Sequence, residues 1–226
     1  MCAPVDFPTV PIAESQHPSN ATFPQRIGVF GGTFDPPHVG HLVTAINVRH
    51  ALALDRVILV VAGQPWQKEG SRTITPAEDR LAMVEAAVAE VEGLEVSRCE
   101  IDRPGPSYTV DTLRDLCHKN PGAQIFTIVG HDAASGFTTW HEHETVAALG
   151  ALVVVDRPGE TAPLPTGFDW VRVEVPHVDV SSSDLRARVA DGRPLDYLVT
   201  TPVLDIIRER HLYESTRSST DTKVCC

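Results

Sequence analysis

Short apolar runs alternate along the chain with segments in which apolar residues recur every three or four positions. Residues 27–30, 57–61, 125–129 and 152–155 are near-continuous apolar runs of the kind needed by parallel strands buried on both faces. Val171, Val173 and Val175 alternate with polar residues, which suits an edge strand. Between the first two runs, Leu42, Ala45, Ile46 and Arg49 follow Val39 at helical spacing. A second helix is predicted with Thr75 as N-cap, Pro76 at the first helical position and Glu78 completing a capping box, and with Leu81, Val84 and Val88 along one face. A third opens at Thr109 with Val110, Leu113 and Cys117 inward, and a last one at Thr201-Pro202 carries Val203, Ile206 and Ile207. This alternation predicts an α/β fold, a Rossmann-like parallel sheet with helices on both faces, whose ligands sit beyond the carboxyl ends of the strands.

The 226 residues suffice for one sizeable core. Residues 1–25 hold five prolines among polar residues and read as a flexible extension; residues 26–214 form the domain, and the polar 215–226 stretch reads as a disordered tail. No apolar run approaches the roughly 20 residues of a bilayer span, so no membrane association is expected. A net charge of −11, with only 19 Lys and Arg, argues against nucleic-acid binding and requires any phosphate ligand to meet a local cationic site. The five cysteines lack zinc or redox spacing and suit a reducing cytoplasm. Cys225-Cys226 lacks the pattern of a lipidation signal.

Directly after the first run comes Gly31-Gly32-Thr33-Phe34-Asp35-Pro36-Pro37-His38-Val39-Gly40-His41. Paired glycines let a ligand approach the backbone, and a helix N-terminus offers unpaired N–H groups and a positive dipole end to an anion. His38 and His41, three residues apart, lie on one face if the helix has begun, and both imidazoles then point at the same phosphate. The segment fits neither the Walker pattern nor GxGxxG. The two histidines lack a third ligand for zinc, and no metal site of the protein's own is expected. Asp35, before a proline in a tight loop, reads as structural.

GTFDPPHVGH resembles the signature of the T/HxGH nucleotidyltransferase superfamily. Val180-Ser181-Ser182-Ser183-Asp184-Leu185-Arg186 is similar to the same superfamily's ISSTxxR motif, with Ser183 where Thr is frequent. Hydroxyls at a helix N-terminus cap it and can donate to phosphate oxygens, and an arginine one turn in supplies a planar fork. The resemblance implies an adenylyl transfer in which Gly31, Gly32, Thr33, Phe34, Ser181, Ser182 and Ser183 contact the nucleotide while His38, His41 and Arg186 stabilise its phosphates. It also implies Mg²⁺ arriving with ATP.

Four further segments resemble the bacterial nicotinate mononucleotide adenylyltransferases: 62–68, 76–84, 105–113 and 139–141. So does the C-terminal stretch 203–213, so that the likeness covers about residues 26–213. It implies ATP and nicotinate mononucleotide as substrates, and deamido-NAD and pyrophosphate as products. Trp140 would stack on the pyridine ring, Thr109 and the His141 backbone N–H would bind its carboxylate, and Tyr108 would border them. Gly130 and Asp132 match a Gly-x-Asp that contacts adenosine and acceptor, and Lys68 and Arg157 fall in segments bordering the phosphate channel. The acceptor phosphate is already an ionised nucleophile, so positioning and charge neutralisation suffice. The alternatives are pantetheine-phosphate adenylyltransferase, a cytidylyltransferase, and a nucleotide-binding regulator without catalysis. A homo-oligomer is possible.

Overall fold

The computed structural model describes residues 24–65, 73–156 and 163–214. Six strands, β1 (Arg26–Gly32), β2 (Arg56–Val61), β3 (Leu94–Ser97), β4 (Gln124–Gly130), β5 (Ala151–Asp156) and β6 (Trp170–Glu174), form one sheet. All pair in parallel, in the order β3-β2-β1-β4-β5-β6. The chain therefore winds outward from β1 in one direction and then returns to start again at β4. The β1/β4 boundary is the switch point at which such sheets open a crevice.

The helices are α1 (Val39–Ala51), α2 (Ala77–Val88), α3 (Cys99–Asp102), α4 (Thr109–Lys119), α5 (His131–Ser135), α6 (His143–Leu149), α7 (Ser182–Asp191) and α8 (Thr201–Glu209). Alternation along the strands divides their side chains between two cores. Phe30, Val57, Leu59, Phe126, Ile128 and Val153 face α1, α2, α7 and α8. Ile27, Val29, Ile58, Val60, Ile125 and Leu152 face α4 and α6. Burial on both faces explains why these strands read as apolar runs, and each fully buried aliphatic side chain contributes about 1.5–3 kcal/mol.

Three expectations need correction. On α1 the buried stripe is Leu42, Ala45 and Val48, whereas Ile46 is 44% exposed. Arg49 turns away to hold the carbonyls of Asp55 and Glu92. The second helix begins at Ala77, with an extended Pro76 as its N-cap and no side-chain cap. Thr75 lies outside the helix, with its carbonyl accepting from Arg80 at 2.8 Å and its N–H directed at Asp35 Oδ2 at 3.5 Å. On α4 the inward residues are Val110, Thr112, Leu113 and Leu116, with Cys117 only partly covered. The proposed N-terminal extension and C-terminal tail fall almost entirely outside the described residues.

Candidate active site

The loop between β1 and α1 is shaped by two aromatic packings. Phe34 adopts a left-handed backbone at φ 49° and folds its ring back over Gly32, where a Cβ would lie 2.8 Å from the ring. The ring edge then meets His41 at 5.0 Å and Phe30 at 5.9 Å. Phe34 is thus a buried wedge beneath the loop. His38 is the N-cap of α1, and its N–H donates to Nδ1 of His41 at 3.1 Å. The two imidazoles stack with centroids 3.7 Å apart and planes 29° from parallel, on the common face their spacing predicted. Burial pushes His38 down to about 4, so it is neutral at physiological pH, and its Nδ1 is buried without a partner.

The distant serine motif closes onto this loop. Ser181 caps α7 by accepting from the Asp184 N–H at 3.2 Å. Ser182 donates to the Pro36 carbonyl at 2.9 Å, and Arg186 donates to the Asp35 carbonyl at 2.6 Å and to the Ser183 hydroxyl at 3.1 Å. Asp35 itself is 1% exposed and accepts from the Tyr213 hydroxyl at 2.8 Å, a structural role as expected.

Two cavities open at the carboxyl ends of the strands. The smaller, of about 180 Å³, is bordered by Gly31, Gly32 and Thr33 on one side and by Tyr108, Thr109, Trp140 and His141 on the other. Tyr108 stacks on His141 at 4.4 Å. Trp140 Nε1 and Thr127 Oγ1 are buried there without a hydrogen-bond partner. The larger, of about 620 Å³, takes in His41, Gly130 and Asp132 together with His131, Asp156 and His177. Phe30, Gly130 and Ala133 border both. His38, Ser181, Ser182, Ser183 and Arg186 line neither cavity; Ser182 and Arg186 hold the loop that leads to His41, which lines the larger one. Lys68 and Arg157 lie outside the described residues.

Several contributors carry no local sequence signal. Arg80 is 1% exposed and donates to the carbonyls of Thr33 and Thr75 at 2.8 Å each, joining the end of β1 to α2. Glu100, 8% exposed, lines the smaller cavity, and burial raises its carboxyl above the usual range against the pull of hydroxyls on Thr112 and Ser107. Among the described residues no group of three or more His, Cys, Asp or Glu could hold a metal ion, and no helix is long and apolar enough to cross a membrane.

Residues 29–188 match the family model described as cytidylyltransferase-like. The chain is 50% identical over 186 residues to a probable nicotinate-nucleotide adenylyltransferase of Streptomyces coelicolor, covering 81% of this chain and 98% of that one. It is 46% identical over 192 residues to the protein of the same name from Corynebacterium kroppenstedtii, covering 83% and 90%. Its fold resembles that of Plasmodium falciparum nicotinic acid mononucleotide adenylyltransferase complexed with NaAD, with a TM-score of 0.69 at 16% identity over 84% of this chain and 97% of that one.

Proposed function

We infer the activity from one premise: the chain belongs to the nicotinate-nucleotide adenylyltransferases of the cytidylyltransferase-like family. It joins ATP and nicotinate mononucleotide to give deamido-NAD and pyrophosphate, a step of NAD biosynthesis. The observation that carries the assignment of roles is the meeting of two unlike cavities at Gly130, one beside paired imidazoles and one walled by aromatic rings.

The larger cavity takes the ATP side and the smaller takes the pyridine of the acceptor. Trp140 offers its face to the electron-poor ring, and the start of α4 at Thr109, whose N-cap Tyr108 makes no side-chain cap bond, offers N–H groups to the carboxylate. Gly130 and Asp132 then hold the two sugars near each other. An oxygen of the acceptor's phosphate attacks the α-phosphorus of ATP, the bond from that phosphorus to the bridging oxygen breaks, and pyrophosphate leaves. No proton need be removed from the nucleophile. His38 and His41 donate to the oxygens that gain charge, and Arg186, drawn from the Asp35 carbonyl, follows the leaving group. Mg²⁺ carried by the nucleotide supplies further charge neutralisation. Lys68 and Arg157 belong to the same phosphate channel. A reducing cytoplasm suits the free thiols of Cys99 and Cys117.

The test is pyrophosphate release with ATP and Mg²⁺ plus, separately, nicotinate mononucleotide, nicotinamide mononucleotide and phosphopantetheine. Release is expected with nicotinate mononucleotide first and to be lost in His41→Ala without loss of fold. Preference for phosphopantetheine, or full turnover by His41→Ala, refutes the reading.

A further inference from the structure

The smaller cavity is bordered on one side by the start of α4, at Tyr108 and Thr109, and on the other by Trp140 and His141. Behind it the two borders share one core, through Val110 and Leu113 from α4 and Phe137 and Val146 from the segment after β4. Toward solvent, among the described residues, no backbone–backbone hydrogen bond joins residues 105–113 to residues 136–143. Side chains span the gap instead. The Tyr108 ring lies on that of His141, and further along α4 Arg114 reaches Glu142. Its two terminal nitrogens donate to the two carboxylate oxygens, at 3.2 Å to Oε1 and 2.5 Å to Oε2, a fork that fixes orientation as well as distance. The same carboxylate accepts from the Thr145 hydroxyl at 3.2 Å, and Asp111 Oδ1 accepts from the guanidinium at 3.4 Å.

Glu142 makes this pair from a left-handed backbone, φ 48°, at the turn between His141 and the first residue of α6. Glycine would adopt that conformation at less cost, so what glutamate supplies at the turn is its carboxylate. Phe137, 1% exposed and edge-on to Phe168 at 5.0 Å and Trp170 at 5.4 Å, anchors the root of the loop, which keeps movement of residues 140–142 from passing back to Gly130. We propose that Arg114 is a positioning residue for the acceptor: paired with Glu142, it sets how far the Trp140–His141 wall stands from the start of α4. This rests on the assignment of the smaller cavity to the acceptor. Neither Arg114 nor Glu142 lines a cavity, so the pair acts through the loop and not on a substrate.

Both partners are partly exposed, so the pair is screened and its loss is modest. Arg114→Met should raise KM for nicotinate mononucleotide about three- to fivefold, with KM for ATP and kcat unchanged. Glu142→Gly relieves the backbone while removing the carboxylate, and should do the same without lowering Tm. Arg114→Lys, with a single point of contact, should fall between, and the double variant Arg114→Met/Glu142→Gly should be no worse than either alone. The ratio of variant to wild-type KM should shrink in about 1 M salt, where the screening length is about 3 Å. In ligand-free Arg114→Met, hydrogen exchange should quicken at the amides of Trp140 and Val146, which donate to the Phe137 and Glu142 carbonyls at 3.0 Å each, while β4 keeps its protection. An equal rise in both KM values, additive losses in the double variant, or a defect in Arg114→Met that Glu142→Gly lacks overturns the proposal. Unchanged exchange at residues 140 and 146 does so too. A wild-type protein that releases no pyrophosphate with nicotinate mononucleotide overturns the acceptor assignment instead, and the exchange measurement still decides whether the pair holds the loop.

Discussion

Tyr213→Phe removes a single oxygen from a contact that spans 178 residues of sequence. In the folded protein that oxygen donates to Asp35 Oδ1 at 2.8 Å, and Asp35 is 1% exposed. A hydrogen bond to a charged group contributes about 1.5–3 kcal/mol, so about 2 kcal/mol should be lost. For a folded unit of this size, 1 kcal/mol corresponds to about 2–4 °C, which predicts a fall in Tm of about 4–8 °C near pH 8. The dependence on pH distinguishes this bond from mere packing. Burial, followed by the charge of Asp35, raises the phenol of Tyr213 above its ordinary value of 10. The proton is therefore retained on folding, and its stabilisation is complete below that ordinary value. It is lost as pH rises toward the higher folded value, at up to about 1.4 kcal/mol per pH unit. Thermal unfolding of both proteins at several pH values should thus show the gap narrowing above pH about 10. Equal Tm values at pH 8, or a gap that widens with alkali, would refute the reasoning. Because the Asp35 carbonyl also receives Arg186, kcat should fall in this variant while the acceptor KM stays the same.

Two further outcomes follow from local geometry. His38 is lowered by burial from 6.5 to about 4, so its contribution to stability is complete above 6.5 and is lost as pH falls from there toward 4. His38→Asn should flatten the acid limb of the stability curve in that window, and an unaltered limb would show that the ring titrates normally. In Gly63→Ala the new methyl meets the backbone oxygen of Glu100 at 2.3 Å, and neither chain is a flexible side-chain end. A loss of about 1–3 kcal/mol is expected in denaturant melts, and wild-type stability would mean that the two backbones can part freely.

The central strands were legible because parallel strands covered on both faces need apolar side chains at every position, as in residues 57–61. β3 was not: Leu94–Ser97 is a four-residue edge strand in which only Leu94 is fully buried. The loop between β1 and α1 and Ser181–Arg186 were legible as motifs, and the structure joins them through Ser182 and Arg186. Thr75 misled because its spacing is that of an ordinary cap, whereas its backbone is held by the buried Arg80 and by Asp35 from the preceding loop. Arg80 and Glu100 escaped for the same reason. In sequence they are charged residues on helices, and only tertiary burial at 1% and 8% exposure turns them into supports of the site.

Gly130 lines both cavities, and a Cβ built on it would meet no atom within 4 Å. The space beside it is open and adjoins both cavities, and that emptiness shapes the site as much as any side chain does. On the proposed assignment of the two cavities, a bulky residue there would act as a bulkhead, leaving a protein that admits each reactant and joins neither.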